Sequence, residues 1–523
     1  MKEIFRYHTV FGALWMNKAR RKTLAQIQAT GKQHNLKRSL GATQLLLLGV
    51  GTAIGAGVYV ITGTAAAEYA GPSVLLSFLI AAAACLFAAL CYGELASTFP
   101  VSGSAYSYAY LSMGERMAWV IGWLLLLEYG VAGTAVAAGF SGYLTSLLEN
   151  FNIHLPAIIT QTTFQSIPHS TSGLLSFHHS INLPGLLVML FISLILIRGI
   201  EAVARFNTTF VCIKIAVLAL FVAIGVFYIS PANWHPFIPP SQGNFHFGIA
   251  GIFRAASIIF FAYGGFETVS TAAAEARNPT RDVPIGIIGS LVICTIVYVT
   301  VAAVLLGVAP YHLLDRADPL AVATMLIHKP WLALLINAGA TIGLFSVLIG
   351  LLYAISRMVH AISHDGLLPR VFSIIHPQFK TPWLATILLG LLMGVMSATM
   401  PIALLGDLLC IGTTLAFAMV CFTVIWQRNQ DPKAHRPFQV PLGAIYIRGI
   451  WLGITPLLGI FFCLCMLIPL GLNIIRSTLN GNLIPLLFFI IYAALGVCTY
   501  LFYGRHNSTM NQKSPHHPHN HHS

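Results

Sequence analysis

Apolar runs of about 20 residues, each long enough to cross a bilayer as a helix, alternate with short polar connections along most of the chain. Their spacing predicts twelve spans, at about 42–66, 73–98, 116–147, 182–197, 205–229, 249–276, 285–308, 332–362, 384–400, 403–426, 449–475 and 483–503. The runs are continuous and irregularly punctuated, unlike the short alternating strands of an outer-membrane barrel. The pattern therefore predicts an all-α integral membrane protein. Residues 149–180 and 231–247 read as outer loops, and the stretch from Pro100 to Tyr106 reads as an inner turn. Basic and apolar positions alternate over residues 1–40, as in an amphipathic helix lying at the inner membrane surface.

The first run is unlike the others. Gly49-Val50-Gly51-Thr52-Ala53-Ile54-Gly55-Ala56-Gly57 places four glycines in nine residues. Glycine inside a helix costs about 1 kcal/mol against alanine, so the helix is invited to open. An opened backbone survives at membrane depth only where protein or a water-filled cavity satisfies it, and transporters build binding sites from such breaks. The alternative is close helix packing, since Gly51 and Gly55 form a G-x-x-x-G pair. A second interruption, Tyr263-Gly264-Gly265-Phe266, lies in the sixth run. Interrupted spans five apart are what two inverted five-helix repeats produce, with the breaks facing each other near the midplane. The expected organisation is a basic segment (1–40), repeats at 41–230 and 248–427, spans 11 and 12 over 448–504, and a His-rich disordered tail at 505–523.

Composition sharpens this reading. The chain has 523 residues, of which 57% are hydrophobic and 8% charged, against about 25% charged in a soluble domain. The net charge of +13 would suit nucleic acid, but its placement follows topology. Nine of the 28 Lys and Arg precede the first span, and among loop cations only Arg316, Lys329 and Arg476 fall outside. That is the positive-inside rule, and it places both termini in the cytoplasm. No h-region with a cleavage site precedes the first span, so no removable signal peptide is expected. The nine cysteines lie within apolar runs without C-x-x-C spacing, which predicts neither a disulfide framework nor a metal site. His516 to His522 reads as a polar tail in preference to a metal ligand set. Neither an H-E-x-x-H pair nor a G-x-S-x-G elbow occurs, so no enzyme and no cofactor are expected.

The glycine-rich stretch through Tyr59 resembles the first-helix motif of the amino acid–polyamine–organocation superfamily, above all its cationic amino acid transporter branch. The resemblance continues through Ala70-Gly71-Pro72-Ser73, Cys91-Tyr92-Gly93-Glu94, Ser102-Gly103-Ser104-Ala105-Tyr106 and Gly122-Trp123. It resumes at the stretch from Phe260 to Ser270, at Arg281-Asp282-Val283-Pro284, and at Asp365-Gly366-Leu367-Leu368-Pro369. It implies a five-plus-five inverted repeat followed by two further helices, amino acid transport by alternating access, and a multi-pass protein of a bacterial inner membrane. It also implies that backbone N–H groups of Ile54, Gly55, Ala56 and Gly57 hold the substrate carboxylate. Carbonyls at Ala53, Phe261, Ala262 and Tyr263 would hold its ammonium, with Phe266 stacking over the site as a gate. Many relatives have Ser or Thr where this chain has Ala56, which leaves carboxylate binding to the backbone alone.

Ionisable residues inside apolar runs mark function or costly structure. Lys214 sits about ten residues into the fifth span, too deep to snorkel comfortably. In proton-coupled relatives a lysine of this span replaces a bound sodium ion, so Lys214 is expected to carry the coupling proton; a static structural ammonium is the alternative. Glu128 matches an acidic position of bacterial relatives, for substrate contact through water or a proton route; a helix-packing carboxyl is the alternative. Glu94 suits a structural pair with an inner-loop residue, and Glu267 a pair at the cytoplasmic gate. Arg254 either screens cationic substrates from the outer vestibule or snorkels outward. The side-chain pocket is expected between spans 3, 6 and 8, at Val131, Val269, Ala340, Leu344 and Phe345. Apolar walls favour small to medium neutral amino acids, because a buried cation needs a partner. Glu128 is a candidate partner, so transport of arginine or lysine, or amino acid exchange, stays open. So does a sensor that binds amino acid without flux.

Overall fold

The computed structural model describes residues 40–509, apart from 56, 100–103, 167–174, 199, 244, 274–275, 317 and 480–482. The basic segment before Leu40, the inner turn at 100–103, Ala56 and the His-rich tail from 510 therefore lie outside the described residues. Within them, helices run through every predicted apolar segment. Span 1 comprises Ala42–Ala53 and, after an interruption, Gly57–Ile61, Thr62–Thr64 and Ala65–Ala70. Spans 2 to 5 are Val74–Thr98, Glu115–Glu149, Leu183–Arg198 and Ile200–Gly225. Span 6 comprises Gly248–Ile259, a tighter turn Phe260–Tyr263, and a resumed turn Thr268–Thr271. Spans 7 to 10 are Pro279–Val308, Pro330–His364, Trp383–Thr399 and Ile402–Gln430. Spans 11 and 12 are Ile454–Leu479 and Ile484–Cys498, the latter continuing through Thr499–Gly504.

The largest helix contacts join spans five apart in sequence: 2 with 7, 3 with 8 and 4 with 9. Equivalent members of two five-helix repeats thus pack on each other around the broken pair. Span 12 stands outside this core, with only Gly496 buried over Ile484–Cys498. Span 3 holds it through rings, as Trp123 stacks on Tyr492 at 4.9 Å and Trp119 faces Tyr500 at 6.0 Å. Such an aromatic seam provides association where apolar surface alone gives no advantage over lipid.

Four local elements differ from the sequence expectation. The residues expected to open span 11 belong to a hairpin instead: Ala444–Ile447 pairs antiparallel with Ile450–Gly453, so the helix starts at Ile454. Arg448 and Gly449 both take positive φ, the demand of a tight two-residue hairpin turn between β-branched neighbours. A second hairpin in an outer loop pairs Phe164–Ser166 with Leu175–Phe177. Helix Ser104–Ser112 begins inside the stretch read as a turn, and an outer helix, Pro319–Leu326, joins spans 7 and 8.

The inner loop after span 10 is tied beneath span 2. Glu94, 1% exposed, accepts two bonds from Arg428, at 2.7 and 2.6 Å, and one from the Val440 N–H at 2.7 Å. Arg436 stands 3.7 Å away. Glu94 is therefore a structural anchor for residues 428–440.

Candidate functional site

The two interruptions meet. Span 1 ends at Ile54, whose backbone turns extended (φ −71°, ψ 96°), and its helix resumes at Gly57. A Cβ added to Gly57 would lie 2.2 Å from Ala262 Cβ, so the second half of span 1 touches the tightened turn of span 6 backbone to backbone. Gly265, at φ +120°, sits likewise against Thr52 and Ala53, where a Cβ would fall 2.8 Å from the Ala53 nitrogen. Glycine is required at both positions by this approach. The packing alternative also has a share, since Gly49 lies against Ser290 of span 7 and Gly55 against Val347 of span 8.

Side chains lace the opened backbone. The Thr52 hydroxyl lies 2.8 Å from the Gly265 carbonyl and 2.9 Å from Thr268 Oγ1. Tyr298, from span 7, points its hydroxyl at Ala53 O, 2.6 Å away, and at Ala262 O, 2.7 Å away. Lys214 is fully buried, and its ammonium donates to the Gly51 carbonyl and, at 2.8 Å, to the Ile54 carbonyl. These carbonyls lack helical partners because the helix stops there, which is the general liability of a helix C-terminus. A cation is the group that such carbonyls accept best.

Beside this lacing lies a small cavity of about 20 Å³. It is lined by Thr52, Ala53, Gly55 and Gly57 of span 1, and by Phe261, Ala262, Gly264, Gly265 and Glu267 of span 6. Span 3 contributes Glu128, Tyr129, Ala132 and Val136; span 8 contributes Val347 and Leu351; span 10 contributes Leu409 and Thr413. At this size it holds little more than a water molecule, so admitting an amino acid requires the surrounding helices to move.

The expected site residues divide. Gly55, Gly57, Ala53, Phe261, Ala262 and Glu128 face the cavity. The Ile54 N–H does not serve an anion, because it closes the preceding helix on Val50 O at 3.0 Å. Tyr263 is absent from the lining, and its side chain leaves toward span 2, the hydroxyl donating to Phe78 O at 3.0 Å. Phe266 does not lie over the cavity; its ring packs between Tyr92 (6.1 Å) and Phe417 (5.3 Å). Among the described residues Glu267 has no ion-pair partner: one oxygen accepts the Gly265 N–H at 2.8 Å and the residue lines the cavity. Val131, Val269, Ala340, Leu344 and Phe345 are absent from the lining. Val269 packs on Gly49 and Gly286, and Phe345 faces Phe140 and Phe191. Arg254 is 2% exposed with its guanidinium 5.2 Å from the Tyr69 ring, so it does not snorkel.

The family model described as amino acid permease matches residues 40–502. The chain belongs to the amino acid permease family. This permease is 39% identical to a methylthioribose transporter of Bacillus subtilis (strain 168), over 94% of this chain and 99% of that protein. It is 40% identical to the branched-chain amino acid permease BcaP of the same organism, over 93% and 97% of the two chains. The vacuolar cationic amino acid transporter 4 of Arabidopsis thaliana is 35% identical over 76% of this chain and 64% of its own.

Sequence reasoning missed several residues of the permease site. Ala132 and Val136 follow Glu128 at four-residue steps, as Val347 and Leu351 follow each other, so carrying the phase of Glu128 along span 3 would have found the first pair. Tyr298 carries no such signal. It sits in a β-branched run, Val297-Tyr298-Val299-Thr300, that reads only as a buried helix.

Proposed function

We propose that the protein is a secondary active amino acid transporter working by alternating access, taking up small to medium neutral L-amino acids with protons and without sodium. Its place would be a bacterial inner membrane with both termini cytoplasmic. The observation that carries this reading is the Lys214 ammonium seated on the Gly51 and Ile54 carbonyls at the break of span 1. A fixed ammonium there does the electrostatic work of a bound metal cation, and loss of its proton would loosen the break. The Gly55 and Gly57 N–H groups, with Ala56 between them, would take the substrate carboxylate at the start of the resumed helix. The Ala53, Phe261 and Ala262 carbonyls would take the ammonium. Ala132, Val136, Val347, Leu351 and Leu409 give the side-chain end apolar walls, which suit neutral side chains. The relative named for branched-chain amino acids supports that preference.

The test is uptake of labelled leucine, alanine, arginine, glutamate and methylthioribose into proteoliposomes under an inward proton gradient without sodium. Gradient-driven accumulation of leucine and alanine is expected, and Lys214→Ala should abolish accumulation while leucine binding persists. Sodium dependence, or accumulation unchanged in Lys214→Ala, would overturn the coupling assignment. Uptake of methylthioribose alone would overturn the substrate class.

A further inference from the structure

Two buried carboxylates face the cavity and nothing on its walls neutralises them. Glu128 is 2% exposed and Glu267 1%. Both Glu128 oxygens and Glu267 Oε1 lack hydrogen-bond partners, while Glu267 Oε2 accepts the Gly265 N–H. The two acids are close neighbours: Glu128 Oε1 lies 3.9 Å from the position a Cβ would take on Gly264, the residue before that donor. The hydroxyls of Tyr129 and Thr413, 2% and 1% exposed, also line the cavity, Tyr129 beside Glu267 and Thr413 beside Glu128, each short of full hydrogen-bond geometry. Four polar side chains from spans 3, 6 and 10 therefore converge on one small space with bonding capacity unused.

No Lys, Arg or His lines this cavity among the described residues. Lys214 is committed to the Gly51 and Ile54 carbonyls, and Arg254 to the outer part of span 6 beside Tyr69. The ionisable groups facing the pair are Tyr129 on span 3 and Tyr92 and Cys85 on span 2, none of them cationic. Two carboxylates sharing such a space do not both ionise without a counter-charge.

Resting on the amino acid reading above, we propose that Glu128 and Glu267 form a single cation site. Beside a neutral amino acid the pair keeps one proton; beside a basic amino acid the side-chain ammonium or guanidinium takes that proton's place. The charge count requires this exchange. A neutral zwitterion adds no net charge, since its ammonium is offset by its own carboxylate, so the pair keeps its proton. A basic amino acid adds one net positive charge on its side chain, which balances the second carboxylate of the pair and expels that proton to water. The carrier would then accept both classes, with one proton fewer bound for each basic substrate.

Isothermal titration of the detergent-solubilised protein with leucine and with arginine, in buffers of different ionisation enthalpy, counts the protons directly. Any protonation change at Lys214 is common to both titrations, so their difference isolates the pair. Arginine is expected to release about one proton more than leucine, and its affinity should rise with pH where that of leucine falls. In Glu128→Gln and Glu267→Gln, arginine binding should weaken at least about tenfold while leucine binding persists, which also reports that the variants fold. Equal proton counts, an arginine affinity untouched by both substitutions, or a wild type that binds leucine but not arginine would overturn the proposal. If neither amino acid binds, the amino acid reading itself fails and this inference with it.

Discussion

A buried hydroxyl or ammonium has value in this protein because the opened helices leave carbonyls unfilled. Tyr298→Phe removes the donor facing Ala53 O and Ala262 O. Leaving such acceptors buried costs about 1–3 kcal/mol, so the melting temperature in detergent should fall. Saturating leucine should restore part of that loss, since its ammonium would bond the same carbonyls; no recovery would separate Tyr298 from the substrate position. The cavity walls make a second prediction. Val347→Ala enlarges the lined space, whereas Leu344→Ala opens a void beside Gly139. Competition assays should show Val347→Ala shifted toward larger side chains, and Leu344→Ala destabilised with its substrate order unchanged. Glu128 and Lys214 were legible in the sequence because a charge in an apolar run has few innocent explanations. The apolar wall was not: a one-residue error on a helix turns a side chain by about 100°, which puts Val131 on the wrong side of Ala132, while Leu344 shares the stripe of Val347 and Leu351 but lies at another depth along the span.

At the level of elements, the glycine pattern was the readable part. The four glycines clustered at 49–57 and the Gly264-Gly265 pair located both breaks in the sequence, because glycine alone tolerates so close a backbone approach. Gly57→Ala and Gly265→Ala should each reduce uptake by at least about tenfold, as the added methyl group would lie within 3 Å of the opposite break. Gly471→Ala, whose Cβ would meet nothing within 4 Å, should leave uptake intact. The outer helix Pro319–Leu326 escaped notice because it hides in a loop of mixed character. Asp318 stands at its N-terminal cap position, and its side chain, making no cap bond, accepts the Ser146 hydroxyl of span 3 at 2.6 Å. Burial raises the Asp318 carboxyl above its ordinary value of 3.8, so the folded state holds this proton more tightly than the unfolded chain. Its contribution to stability is greatest in acid and declines as pH rises through the raised value. Asp318→Asn should remove that decline and melt at a higher temperature than wild type at pH 7. A lower melting point would show that the charged form is the one the helix needs.

Across the whole molecule, the pairing of spans 2 with 7, 3 with 8 and 4 with 9 makes the two halves a mutual support. The sequence announced this only through the spacing of its two breaks, since the halves share little visible similarity. Long-range ties such as Glu94 with Arg428 were half legible: the acid was conspicuous, its partner 334 positions away was not. Arg428→Ala leaves Glu94 buried without its two-point partner, and should cost about 3 kcal/mol, read as a lower melting temperature. The double change Glu94→Gln with Arg428→Met should recover much of it; a double variant as weak as the single would mean that the loop at 428–440 is held by other contacts.

The Tyr298 hydroxyl carries one hydrogen but faces a carbonyl from each half of the protein. Whichever acceptor it serves, the other goes without that proton. On the proposed reading, an arriving ammonium would supply a second donor and free the hydroxyl to settle on a single partner. Occupancy would thus be recorded in the orientation of one O–H bond at the seam between the halves.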